Sequence, residues 1–298
     1  MNLRFDGRVA LVTGAGKGLG RAYAQWLAAR GARVVVNNRR RPEVPSSAQA
    51  VVEAIRAAGG VAVADEHAVE HPDSGRAMVQ TALDAFGRID IVVCNAAISP
   101  RRVPLEEVPL DLMREVIDIN LFGTIYPVQA ALPHMIRADY GRIVLTSSAS
   151  GLHGQKDLAL YGASKTALIG LARCVAIENR GRNIRINIIS PYARTEMAKA
   201  IDPRLSGFLA PEKVAPVVGW LCSERCDRSG IILGSGAGRV RKNTLVESPV
   251  AHMQGEDITD LWPTLERLDG LNVPSSSAAS SIAMMPEILV PDSVAPKA

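Results

Sequence analysis

Tyr161 and Lys165 stand four residues apart in Tyr161-Gly162-Ala163-Ser164-Lys165. On a helix that spacing puts both side chains on one face. An ammonium beside a phenol favours the phenolate, so it draws a tyrosine pKa down from about 10 toward neutrality. A phenol tuned in this way is a general acid and base. A second feature is the loop Thr13-Gly14-Ala15-Gly16-Lys17-Gly18-Leu19-Gly20, with a strand-like run before it and a helical pattern after it. Gly14 permits a tight turn, Gly18 and Gly20 let backbone approach a pyrophosphate, and the helix N-terminus offers free N–H groups to phosphate. Proton transfer beside a dinucleotide-binding loop is the chemistry these two features could supply together.

The elements that must position these residues follow from the apolar runs. Residues 8–13, 33–37, 61–64, 89–94, 142–146, 184–190 and 230–233 are short, rich in Val and Ile, and apolar on both faces. Such runs are strands of a buried parallel sheet. Between them the spacing predicts helices over 19–30, 46–58, 72–86, 105–138 and 158–180. The span 105–138 contains Pro109, Pro127 and Pro133 and reads as two helices broken near Asn120. Alternation of strand and helix predicts an α/β fold: a doubly wound parallel sheet of seven strands with helices on both faces. In such sheets ligands lie at the carboxyl ends of the strands, where these motifs fall.

Together the glycine loop, Asn120, Ser148, Tyr161 and Lys165 resemble the short-chain dehydrogenase/reductase family, over roughly residues 5 to 240. The resemblance implies roles. Ser148, selected among the serines of Thr146-Ser147-Ser148-Ala149-Ser150 by its thirteen-residue distance from Tyr161, would hydrogen-bond the reacting oxygen. Tyr161 would exchange the proton, Lys165 would lower its pKa and bind the nicotinamide ribose, and Asn120 would hold a water. Each also has a plainer role open to it: Asn120 could kink a broken helix and Ser148 could cap a turn. The cofactor residues implied are Gly14, Lys17, Gly18, Leu19, Gly20, Asn38, Arg39, Asn95, Ala96 and Thr195.

Charge indicates which cofactor. NAD-specific members carry an acidic residue at the place of Asn38, where a carboxylate would repel a 2′-phosphate. Here a neutral amide is followed by Arg39, Arg40 and Arg41. Lys17 and Arg39 would clamp the phosphate, so NADP(H) is expected over NAD(H). Three positions depart from the family pattern: Ala97 for a glycine, His67 for an adenine-binding Asp, and Tyr192 for the glycine after Pro191.

The segment 141–154 and the runs 210–216, 220–222 and 236–238 are similar to the branch of the family that forms the dehydrogenase part of peroxisomal multifunctional enzymes and to its bacterial single-domain relatives. That branch oxidises (3R)-3-hydroxyacyl-CoA and some hydroxysteroids, which implies a bulky apolar secondary alcohol or ketone. His153, Gln155 and Leu158, just before Tyr161, would line the pocket. A general carbonyl reductase and a non-catalytic NADP-binding partner or sensor remain alternatives. The family resemblance also suggests a homodimer or homotetramer packed through the helices at 105–138 and 158–180.

The 298 residues are 47% hydrophobic, enough for one sizeable α/β core. Net charge is +4 and aromatics are 4% with no long basic stripe, which argues against nucleic acid. No apolar run reaches the ~18 residues of a membrane span. Cys94, Cys174, Cys222 and Cys226 include no Cys-x-x-Cys pair and read as reduced thiols, with no metal site expected. With Pro-Lys-Ala at the C-terminus, no Ser-Lys-Leu address and no signal peptide, a cytoplasmic protein is expected. The catalytic and dinucleotide-binding domain is expected over 1–238. Residues 239–298 would be an extension: a basic cluster at Arg239, Arg241 and Lys242, then a Pro-, Ser- and Ala-rich arm or disordered tail.

Overall fold

Seven of the apolar runs form parallel strands: β1 Val9–Val12, β2 Arg33–Asn37, β3 Val61–Asp65, β4 Ile91–Cys94, β5 Gly141–Thr146, β6 Ile184–Pro191 and β7 Ile232–Gly236. The computed structural model describes residues 3–194, 207–252, 259–267, 269, 271 and 272. Strands β1, β4 and β5 are buried along their whole length, which is why their residues show no apolar-polar alternation. The order is β3-β2-β1-β4-β5-β6-β7-β8, so the sheet reverses its winding between β1 and β4. A crevice at the carboxyl ends opens at such a reversal.

The sheet has eight strands, not the seven expected. Ala237 and Gly238 both have positive φ, 52° and 74°, and make a two-residue turn of the kind that folds one strand back on another. The chain returns antiparallel to β7 as β8, Arg239–Asn243. Its pattern is polar because it is an edge strand with four exposed residues in a row, and charge on an edge discourages pairing with another chain. The first compact unit accordingly runs Met1–Lys242, and Asn243–Ala298 forms a second. Within that second unit Glu247 and Asn272 make an antiparallel bridge, and Trp262–Leu265 is one helical turn. The expected arm, 274–298, lies outside the described residues.

Helices cover both faces: α1 Gly18–Ala28, α2 Ser47–Ala57, α3 Ser74–Phe86, α4 Leu110–Ile117, α5 Gly123–Arg137, α6 Ala149–His153, α7 Ala159–Glu178 and α8 Ala215–Cys222. One core layer packs α1, α2 and α8 on Ala10, Val12, Val34 and Val36. The other packs α3, α5 and α7 on Val9, Leu11, Val35 and Val92, the alternate residues of the same strands. The break expected near Asn120 is a single π-helical turn, Asp118–Phe122, joining α4 to α5. Helix α8 carries apolar residues on every side, so no amphipathic period marks it in the sequence. It seats Gly219 against the ring of Trp26, where a Cβ would come within 2.0 Å of ring carbon.

Candidate active site

Strand β5 ends at Thr146 and delivers two serines. Ser147 Oγ donates to the Lys165 carbonyl at 2.8 Å, tying the strand end to α7. Ser148 caps α6, accepting from Ser150 N at 3.2 Å, and its hydroxyl is near enough to the Tyr161 phenol to draw the phenol's pKa down. The capping role and the implied chemical role therefore meet in one side chain. Gly151 lets α6 lie against α7, since a Cβ there would come within 2.8 Å of Lys165 Cβ.

Tyr161 and Lys165 share a face of α7 as the spacing predicts, but their electrostatics differ from expectation. Burial pushes the Tyr161 phenol above its usual 10, and the neighbouring Ser148 hydroxyl only partly opposes that. Lys165 is buried, and its ammonium donates to the Thr146 carbonyl at 2.9 Å. Its nitrogen lies 5.9 Å from the Tyr161 ring centroid. Contrary to expectation, Lys165 is not among the groups that shift the phenol; burial raises it and Ser148 lowers it. Burial also draws Lys165 down to about 8. Burial pushes the Cys94 thiol up to about 12, so it stays protonated.

Asn120 sits in the π-helical turn, fully buried. Its amide oxygen accepts from Ile98 N at 2.8 Å, and its nitrogen donates to Ile98 O at 3.0 Å and Ser164 Oγ at 3.2 Å. Ser164 Oγ in turn donates to the Tyr161 carbonyl at 2.8 Å. Asn120 therefore couples the segment after β4 to the helix that carries Tyr161. Of the expected pocket residues, Leu158 is buried, while His153 and Gln155 are exposed. Gln155 Oε1 accepts from Ser150 Oγ at 2.5 Å.

The glycine loop fits a bound dinucleotide. Gly14 has φ +61°, and a Cβ there would lie 2.7 Å from the Ala96 Cα. A Cβ on Gly20 would lie 2.3 Å from the Gly14 carbonyl and 2.6 Å from Asn95 Nδ2. Thr13 Oγ1 accepts from Asn95 N at 3.0 Å and Ala96 N at 3.1 Å, and Asn95 Nδ2 donates back to the carbonyls of Thr13 and Gly14. Leu19 is buried beneath the loop. No side chain caps α1 after Lys17, and its first turn holds no acidic residue, so its N–H groups suit a phosphate.

Around the second strand the charges are more balanced than expected. Asn38 Nδ2 donates to Ser47 Oγ at 2.7 Å. Arg39 is paired with Glu70 at 3.2 Å and Arg40 with Glu66 at 3.1 Å. Sequence reading missed both carboxylates, although they follow β3 within six residues, because nothing local announces which basic group they face. His67 Nδ1 lies 2.9 Å from the buried Asp65 carboxylate, which also accepts from Asn37 and Thr81. Tyr192, just past β6, accepts a hydrogen bond from Arg241. Thr195 lies outside the described residues.

This site and sheet define a class. Residues 8–206 match the family model for short chain dehydrogenase, and the chain belongs to the short-chain dehydrogenase/reductase family of oxidoreductases, which bind a nicotinamide cofactor. It is 42% identical over 275 residues to peroxisomal multifunctional enzyme type 2 of Mus musculus, covering 87% of this chain. It spans only 37% of that enzyme, and 45% of the Drosophila melanogaster enzyme of the same name. The structure of the full-length Drosophila enzyme superposes with a TM-score of 0.81 at 37% identity, over 95% of this chain and 49% of that one. A short-chain type dehydrogenase/reductase of Mycobacterium tuberculosis is 37% identical, over 89% of this chain and 96% of its own length. The expectation of a cytoplasmic protein does not stand, since the mouse and fly relatives are peroxisomal by name. It rests on free thiols and terminal residues, and neither excludes a targeted protein: addresses are read by receptors, not by the fold.

Proposed function

We propose that this chain is an NADP(H)-preferring dehydrogenase or reductase for a bulky secondary alcohol or ketone, of the 3-hydroxyacyl-thioester or hydroxysteroid kind. The observation that carries the reading is the grouping of Ser148, the Tyr161 phenol and the buried Lys165 at the carboxyl end of β5. When bound, the nicotinamide gives or takes hydride at the carbon that bears the reacting oxygen. Ser148 holds that oxygen. Tyr161 donates its proton to a ketone or accepts one from an alcohol. A phenol pushed above its ordinary value is protonated at neutral pH, the form that reduction needs, and oxidation gains as pH rises. The Lys165 ammonium, near 8, is charged at neutral pH and holds Thr146 and the nicotinamide ribose. Asn120 keeps α7 in register with the segment after β4.

Backbone donors at the start of α1 hold the pyrophosphate, with Asn95 and Ala96 backing the adenosine ribose. The preference for NADP(H) rests on Asn38, neutral where a carboxylate would repel the 2′-phosphate, and on Arg39 with Lys17. Glu70 tempers it, because Arg39 must share itself between that carboxylate and the phosphate. Fluorescence titration with NADPH and NADH tests this. Arg39→Asp should reverse the preference, and Glu70→Gln should tighten NADPH by about tenfold while leaving NADH within about twofold. Tighter NADH on the wild type would contradict the cofactor reading. The subunits pair through α4, α5 and α7, whose outer faces expose Leu110, Ile136 and Ile177.

A further inference from the structure

The basic run at 239–242 takes no part in the proton and hydride chemistry, and in the fold it is β8. Because β8 returns antiparallel after a two-residue turn, its first residues lie at the carboxyl ends of the parallel strands, the side on which ligands bind. Arg239 and Arg241 are two apart on a strand, so they project from one face. Arg241 Nη2 donates to the Tyr192 hydroxyl, and its guanidinium carbon lies 5.4 Å from that ring's centroid. Among the described residues neither Arg239 nor Arg241 is in an ion pair, whereas Arg39 and Arg40 each face a glutamate.

Tyr192 is itself fixed. Its N–H donates to the Ser235 carbonyl at 2.7 Å, and it lies so close over Gly236 that a Cβ there would meet Tyr192 Cβ at 2.5 Å. Strand register pairs Thr146 with Ile189, so Pro191 is level with Ser148 and Tyr192 is one residue beyond. In sheet order β8 is three strands from β5, about 14 Å at the usual spacing. Guarding a sheet edge explains exposed arginines but does not require one to be held on a phenol at the rim of the site. A phenol so placed keeps the guanidinium at a fixed height beside the crevice with its remaining donors unspent.

We infer that Arg239 and Arg241, the latter with Tyr192 as its positioning residue, form a subsite for a phosphate at the far end of the substrate. The inference rests on the reading of Ser148 and Tyr161 as the reacting site. The distance selects the substrate class. A short hydroxy acid carries its anion within a few bonds of the carbinol and cannot reach β8, and a neutral ring has no anion. A thioester on a phosphorylated pantetheine arm has both an apolar reacting end and a remote phosphate. The adenosine half of the cofactor does not compete for this place, because it lies on the β2–β3 side of the winding reversal.

The test compares kcat/KM for 3-hydroxybutyryl thioesters of pantetheine and of 4′-phosphopantetheine, with NADP+ saturating, on wild type, Arg239→Gln and Arg241→Gln. The wild type should favour the phosphorylated arm by about tenfold or more, a charge-assisted contact. Each substitution should remove most of that ratio, through KM rather than kcat, and added salt should narrow it in the wild type. No preference in the wild type, or one that survives both substitutions, overturns the subsite and leaves β8 as a guarded edge. If neither thioester is oxidised, the reading of the reacting site has failed. Calorimetric titration with coenzyme A, at saturating NADP+, then decides the subsite separately: binding weakened about tenfold by Arg241→Gln upholds it, and equal or absent binding overturns it.

Discussion

At the scale of single residues, the pair that looks simplest in sequence, Tyr161 and Lys165, is the one whose physics the fold changes most. Four-residue spacing correctly places both on one face of α7. It cannot foretell that the ammonium turns to the Thr146 carbonyl, or that burial governs both groups. The consequence for stability is calculable. Lys165 has a folded value of about 8 against 10.5 ordinarily. Between those values the unfolded chain binds more protons, so this group's stabilising contribution is present above about 10.5 and lost as pH falls through 8. Below pH 8 the buried ammonium costs the fold about 3 kcal/mol. Lys165→Met should therefore be more stable than wild type to denaturant at pH 7, with the gap closing as pH rises toward 10, while activity is lost. A gap independent of pH would contradict the assignment.

At the scale of elements, the glycine loop and the second βα unit show what local sequence can and cannot carry. Gly14 is legible because its neighbours form a strand-turn-helix pattern, and its positive φ and its contact with Ala96 explain why no side chain fits. Gly14→Ala should weaken binding of both NADPH and NADH by at least tenfold and destabilise the fold by about 1 to 3 kcal/mol. Equal loss for the two cofactors distinguishes this from the charge effects of Arg39 and Glu70. Those charge effects were half visible: Arg39 stands out in sequence, whereas Glu70 reaches it only because β2 and β3 are neighbours. Helix α8 and strand β8 escape sequence reading for opposite reasons. One is apolar all round and shows no period, and the other is mostly charged and exposed and shows no core face.

At the scale of the whole molecule, the sheet separates chemistry at its carboxyl ends from anchorage at its amino ends. Asp90, fully buried just before β4, accepts from Val9 N at 2.9 Å and from Arg8 and Arg88. Arg142, at the second residue of β5, is buried and donates to the carbonyls of Ser223, Gly141 and Asn183. The guanidiniums of Arg8 and Arg142 both lie over Tyr140, at 3.5 and 4.5 Å from its centroid. Asp90→Asn should cost about 2 to 4 kcal/mol of stability, leaving two arginines short of their shared carboxylate. It should leave NADPH affinity within about twofold, since the damage lies at the far end of the strands. Parallel loss of cofactor binding would mean that the two ends are coupled.

The proposed mechanism turns on one proton at Tyr161, and a single-turnover experiment reads it most directly. A 3-hydroxyacyl thioester is mixed with excess enzyme and NADP+, and appearance of the reduced nicotinamide is followed by its absorbance. Wild type should form reduced cofactor at a rate that climbs with pH. Tyr161→Phe should slow that rate by about a hundredfold or more with cofactor affinity retained. A Tyr161→Phe enzyme that transfers hydride as fast as wild type would contradict the account.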